Sequence, residues 1–217
     1  MIKAFRERLK VSGKWFLPLY LLAFLPLLSC SESDEVDPEF ENWQQRNDAY
    51  FEEQYQSHYA NMMFQEPVSR TTYVFPGWGQ PSSKSLEEVA HNKCILVDVV
   101  TKGLEIGGTP LYTDTVKVNY RGRLIPTTHY SEGYEFDRSY LTTYDPDVDV
   151  PYQTAVSNLV DGFSTALQHM HRGDLWHVIV PYDLGYGSSE KSEIPAYSTL
   201  VFDIELLDFW SKEEGVR

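Results

Sequence analysis

The sequence predicts an α+β domain, a curved antiparallel β-sheet wrapped on one short α-helix, preceded by an N-terminal helical segment. Three observations carry that expectation. Between residues 90 and 210, β-branched and aromatic runs bounded by Gly, Pro and Asp recur with a period of two, which suits strands half buried in a pleated sheet. Inside that region, 160–171 instead spaces Val160, Phe163, Ala166, Leu167 and Met170 at helical intervals and stops at Arg172 and Gly173. Upstream, 38–63 contains no Gly and no Pro after Pro38, so one long helix starting at Asp37 and Pro38 is its simplest form.

Taken from the beginning, Lys3, Arg6, Arg8, Lys10 and Lys14 precede an apolar run over 15–28. That order matches the basic and hydrophobic regions of a secretory signal, and the run is short for a membrane span. It ends in Leu27, Leu28, Ser29 and Cys30, which resembles the lipobox of bacterial lipoproteins. The resemblance implies a signal peptide over 1–29, with lipid attached at Cys30. The protein would then be held at the outer membrane of the cell envelope, on its periplasmic side or at the cell surface. Each buried acyl methylene adds about 0.8 kcal/mol, so several chains make a lasting anchor. An acidic tether over 30–37 follows, similar to the stretch after the cysteine in some Bacteroidetes lipoproteins. Cys94, followed by Ile95, Leu96 and Val97, reads as a buried strand thiol, and no disulfide is expected.

The segment 38–89 reads as an aromatic helix and a linker. Phe40, Trp43, Tyr50, Phe51, Tyr55, Tyr59 and Met62 fall mostly at steps of three, four and seven, which makes one aromatic stripe. Two coverings for it stay open, the following domain or a second copy in a homodimer through residues 38–63. Residues 67–85 carry turn chemistry around Pro76, Gly77, Trp78, Gly79 and Pro81, expected as an ordered crossing held by Trp78. Ser85 and Glu88 have capping-box spacing.

The domain itself is expected over 90–210, with strands at 94–101, 115–124, 134–138, 175–181 and 199–209 and a tail over 211–217. Lys and Arg number 18 against 32 Asp and Glu, a formal charge of −14, which disfavours nucleic acid as a partner. His129, His169, His171 and His177 are too scattered for a ligand set, so no metal is expected. No Gly-flanked serine elbow and no phosphate-binding glycine loop occur, which argues against a serine hydrolase and a nucleotide enzyme. No cofactor is expected.

The runs Val118-Asn119-Tyr120-Arg121-Gly122 and Phe136-Asp137-Arg138-Ser139 are followed by Leu159-Val160-Asp161-Gly162-Phe163. Tyr186-Gly187, Ile194-Pro195 and the stretch from Ser198 to Leu207 come next. In this order and spacing they resemble the FKBP family of peptidyl-prolyl cis/trans isomerases. That resemblance implies proline-containing polypeptides as partners and a pocket walled by Tyr120, Phe136, Asp137, Phe163, Tyr186, Ile194 and Phe202. Leu159, Val160 and Tyr152 would bind substrate. Phe163 would floor the proline ring where many members have Trp. The Tyr186 hydroxyl and the Ile194 N–H would hold substrate carbonyls, and Asp137 would orient the amide or serve only as a partner for Tyr120. The insert 139–150 is longer than in compact members, and the aromatic expected near its end is Val150, a thinner wall. Glu193 stands where the family often has an apolar residue.

The chemistry suits such walls. Resonance sets a barrier of about 18–20 kcal/mol to amide rotation. A twisted amide has lost that resonance and is less polar, so an apolar cavity favours it without a nucleophile or metal. The implied function is isomerisation of X-Pro bonds in exported proteins. The alternative is an FKBP-like chaperone or binding module with no catalysis.

Overall fold

The structure, a computed structural model, describes residues 38–67, 69–140 and 149–211. The expected signal peptide, Cys30 and its tether, the middle of the insert at 141–148 and the tail beyond 211 lie outside the described residues.

Among the described residues, seven strands form one antiparallel sheet: β1 (Thr72–Pro76), β2 (Cys94–Thr101), β3 (Thr115–Arg123), β4 (Glu135–Arg138), β5 (Tyr152–Ala155), β6 (Leu175–Val180) and β7 (Leu200–Trp210). Their order is β1-β2-β6-β7-β3-β4, with β5 also paired to β3. The long strand β7 lies at the centre, joined to β3 on one side and β6 on the other. Alternation sorts the side chains. Val116 and Val118 of β3, Val178 and Val180 of β6, and Ile204 and Leu206 of β7 all enter one core with the helix α2 (Asp161–Leu167).

β2 breaks the alternation for a physical reason. Cys94, Ile95, Leu96 and Val97 are all buried. Ile95 and Val97 face the α2 core, while Cys94 and Leu96 join Phe51, Tyr55, Val74, Val89 and Ile179 in a second cluster. That second cluster lies under helix α1 (Trp43–Phe64). Both faces of the sheet are therefore covered at its β1-β2-β6 end, as an unbroken apolar run requires. Burial pushes the Cys94 thiol up to about 12, which makes it an inert packing group.

The aromatic stripe thus packs on the chain's own sheet. α1 begins at Trp43 instead of Pro38, because Pro38–Phe40 forms a 3-10 turn and Asn42 takes the left-handed conformation at φ 52°. Two buried hydrogen bonds fix its first turns. Trp43 Nε1–H donates to Ser198 Oγ at 2.8 Å, and the Thr199 N–H donates to Asn47 Oδ1 at 2.7 Å.

β1 lies within the segment expected as linker, and β5 was also not expected from the sequence; both are short. The crossing after β1 is held as expected: Trp78 donates its backbone N–H to Thr165 Oγ1 at 3.0 Å and its indole N–H to Asp161 Oδ1 at 3.2 Å. The Ser85 N–H donates to Glu88 Oε2 at 2.8 Å, as the capping-box spacing implied. α2 ends at Leu167, four residues before the expected His171. Beyond Leu167 the chain tightens, with the His169 N–H donating to Ala166 O at 2.9 Å and the Met170 N–H to Leu167 O at 3.2 Å. Gly173 then reverses it at φ 87°.

Candidate active site

Gly122 sits in register between Asp137 of β4 and Phe202 of β7. A Cβ there would lie 2.6 Å from the Phe136 ring and 2.8 Å from the Phe202 ring, so only glycine lets both rings close over the strand. The other wall comes from α2. Gly162 brings that helix flush against β6, since a Cβ there would meet Val180 Cγ1 at 2.2 Å. Ser164, fully buried, donates to Val156 O at 2.8 Å and so ties the helix to the turn Val156–Asn158 ahead of it. This fixes Leu159 and Val160 at the mouth and Phe163 on the first turn.

The result is a cavity of about 220 Å³. Nine of the ten expected residues line it: Tyr120, Phe136, Asp137, Tyr152, Leu159, Val160, Phe163, Tyr186 and Phe202. Phe163 is its floor, meeting Tyr120 edge-on at 5.8 Å and Phe202 at 5.1 Å between ring centroids. Phe136 meets Phe202 edge-on at 5.8 Å. Val150 is 84% exposed and makes no wall. Tyr152, two residues on, takes that side, 5.8 Å from Tyr120.

The polar groups are few and their states are defined. The Tyr120 hydroxyl donates to Asp137 Oδ2 at 2.6 Å, and the Arg138 N–H donates to Asp137 Oδ1 at 2.8 Å. Both carboxylate oxygens are therefore engaged within the chain. Burial, then the hydrogen bond and charge of Asp137, hold the Tyr120 phenol well above its usual range. Burial, then the charges of Asp137 and Tyr152, raise Tyr186 as well. Both phenols are neutral at physiological pH. The Tyr186 hydroxyl has no hydrogen-bond partner among the described residues, which leaves it a free donor at a site 37% exposed.

Ile194 departs from expectation. Its side chain is buried in the main core and does not line this cavity. Its N–H donates to Lys191 O at 2.6 Å, and the Lys191 N–H donates back to Ile194 O at 2.9 Å. The flap closes as a tight turn, with Ser192 at φ 41°, and this geometry engages the N–H expected for substrate. The N–H of Val160, a cavity-lining residue just ahead of α2, has no partner among the described residues. Asn158 also lines the cavity; its place follows from the turn before α2, and nothing in the sequence pattern marked it. Glu193 raises the pKa of the Tyr134 phenol through hydrogen bonding and charge.

Comparison with known proteins agrees with this geometry. Residues 107–207 match the model of the family described as FKBP-type peptidyl-prolyl cis-trans isomerase. FkpA of Escherichia coli strain K12 is 36% identical over 102 residues, covering 47% of this chain and 33% of that protein. The macrophage infectivity potentiator of Trypanosoma cruzi is 36% identical over 107 residues, 49% of this chain and 48% of that protein. The crystal structure of FkpA from Escherichia coli superposes with a TM-score of 0.52 at 27% identity, covering 79% of this chain and 63% of that one. The chain spans a third to a half of the length of these two curated relatives. Sequence match, sheet topology and the aromatic cavity converge on one likeness: the segment 107–207 is similar to the FKBP-type peptidyl-prolyl cis-trans isomerases.

Proposed function

We propose that this protein is a peptidyl-prolyl cis/trans isomerase acting on proline-containing polypeptides. The observation that carries the reading is a ring-lined cavity with two free donors at its edge and no Ser, Thr, Cys, Lys or His among its lining residues. Phe163 supports the proline ring. Phe136, Tyr152 and Phe202 strip water from the preceding amide, which favours the less polar twisted state. The Tyr186 hydroxyl and the Val160 N–H hold substrate carbonyls on either side of the rotating bond. Asp137 fixes the Tyr120 hydroxyl and thereby the wall that Tyr120 makes.

The same reading places the domain in the cell envelope, tethered through lipid on Cys30; the basic and apolar order of the first thirty residues supports it. The polypeptides it serves are then exported chains. The aromatic face of 38–63 supports packing within one chain more than a homodimer, since Phe51 and Tyr55 are buried against the chain's own strands. Replacing Phe163 by Ala, or Tyr186 by Phe, is expected to lower kcat/KM on a proline tetrapeptide about tenfold or more, close to 1.4 kcal/mol of transition-state stabilisation. Turnover near wild type in both variants, with folding intact, would move the assignment to a binding module.

A further inference from the structure

The loop that carries Tyr186 is gripped from behind by the first turns of α1. Between β6 and β7 the chain runs through the 3-10 turn Tyr182–Leu184, Tyr186, the flap at 188–193 and Ile194 before reaching Leu200. Its two limbs are joined at the base. The Gly187 N–H donates to Tyr182 O at 2.9 Å, and the Tyr197 N–H donates to Gly187 O at 2.8 Å. Tyr186, which lines the proline cavity, directly precedes Gly187 at φ 62°. The main-chain bonds among Tyr182, Gly187 and Tyr197 therefore place the Tyr186 hydroxyl.

That base is held under strain. Tyr197 sits at φ 61°, in the left-handed region that a bulky aromatic residue adopts only at a cost in free energy. Such a conformation persists where its surroundings over-determine it. Here α1 supplies them. Trp43 Nε1–H donates to Ser198 Oγ, next to Tyr197, and the same hydroxyl donates to Pro195 O at 2.6 Å. Asn47 Oδ1 accepts the Thr199 N–H, and the Asn47 side-chain amide donates to Trp43 O at 2.8 Å, which fixes the orientation of the acceptor. Trp43, Asn47, Ser198 and Thr199 are all buried, so water does not compete for these bonds. The Tyr197 ring meets Tyr182 edge-on at 5.5 Å. Burial, then hydrogen bonding and charge from Asp48 of α1, raise the Tyr182 phenol and keep it a neutral donor.

We propose that Trp43 and Asn47 are positioning residues for the isomerase: they lock Tyr197 in its left-handed turn, and through the bond from Tyr197 to Gly187 they hold the Tyr186 hydroxyl at the cavity. Neither residue lines the cavity, so neither touches substrate. Resting on the isomerase reading of that cavity, this makes α1 part of the machinery and not only a cover for the sheet.

The test places Trp43→Phe, which keeps an aromatic ring and removes the N–H, in two backgrounds of the whole protein, wild type and Tyr186→Phe. In the wild-type background kcat/KM on a proline tetrapeptide is expected to fall about fivefold; in Tyr186→Phe it is expected to change less than about twofold, because the hydroxyl being positioned is already gone. Equal losses in the two backgrounds, or no loss in either, overturn the proposal. Hydrogen exchange reads the grip without activity: the Tyr197 amide is expected to exchange about tenfold faster in Trp43→Phe, with amides of the β2–β6 pairing at wild-type rates. Turnover by the wild type with unchanged Tyr197 exchange in the variant overturns the proposal alone, whereas a wild-type protein without turnover overturns the isomerase reading and the proposal with it. Where Trp43→Phe does not fold, Ser198→Ala removes the same hydrogen bond from the flap side and is read in the same way.

Discussion

The methyl group that Gly122 lacks sets the width of the proline pocket. Its position between Asp137 and Phe202 puts any Cβ inside van der Waals distance of the Phe136 and Phe202 rings. Gly122→Ala is therefore expected to drive one ring into the cavity, lower kcat/KM about tenfold, and destabilise the fold by about 1–3 kcal/mol through overpacking. Steady-state kinetics with thermal unfolding checks both; wild-type kinetics would show that the rings move outward instead. Most of the site was legible residue by residue, because aromatic side chains placed on adjacent strands at fixed register must meet. Donor assignment was not legible. Whether an N–H is free depends on the hydrogen bonds of the flap, and the sequence does not reveal that Lys191 and Ile194 satisfy each other.

Helix α1 is held to the sheet by chemistry that responds to pH. His58, 6% exposed, faces Asp98 of β2 at 3.1 Å, and Thr72 Oγ1 donates to the same carboxylate at 2.9 Å. Burial pushes the His58 pKa down, but the hydrogen bond and charge of Asp98 outweigh it and leave the folded value above the usual 6.5. Burial raises Asp98, and His58 and Thr72 outweigh that to lower it below the usual 3.8. A raised histidine contributes stability that is complete below its unfolded pKa and lost as pH rises through the folded value. The lowered carboxylate contributes above its unfolded pKa and loses that contribution as pH falls through the folded value. Docking of α1 is thus expected to be firmest at about pH 5 and weaker at about pH 8, with the pH-dependent part near 1 kcal/mol because Asp98 is half exposed. Hydrogen exchange of α1 amides checks this. The pH difference should vanish in His58→Ala, and an unaltered difference would place the titrating group elsewhere.

At this scale the sequence reached the long elements and the short β4, and missed the short β1 and β5. Strand β2 matches the expected 94–101 because its apolar run has no competing period. β1 reads as linker in the sequence because its five residues end at Pro76 and abut Gly77, and only pairing with β2 makes it a strand. β5, four residues with Tyr152 43% exposed, carries no burial pattern to read. The helix at 160–171 was overextended because Met170 is buried at helical spacing although the chain there has already tightened into turns.

Across the whole molecule, α1 also closes the sheet's outer edge. On β1 the Thr72 N–H donates to Gln65 Oε1 at 3.1 Å, the Val74 N–H points to Met62 Sδ at 3.4 Å, and Pro76 has no N–H to offer. An open strand edge templates pairing with other chains, and these contacts close it. Replacing Met62 and Gln65 by Ala together is expected to expose those donors and raise self-association, seen as concentration-dependent light scattering; a variant that stays monodisperse would locate the protection in Pro76 alone. The fold class was legible because strand period, one helical stretch and turn residues agreed with one another. The back-face role of α1 was open in the sequence, as an aromatic stripe does not say which surface covers it. The buried pairing of Trp43 with Ser198 and of Asn47 with Thr199 joins residues more than 150 apart, beyond the reach of local pattern.

The proposed activity is turnover of X-Pro bonds in the cavity around Phe163. Its most direct test is magnetisation-exchange NMR on a proline tetrapeptide at equilibrium with catalytic amounts of the protein, which reads cis/trans interconversion without a coupled protease. Uncatalysed exchange takes about tens of seconds. The expected result is exchange on the sub-second scale with the wild-type protein; exchange that remains at the uncatalysed rate with a folded protein would contradict the claim.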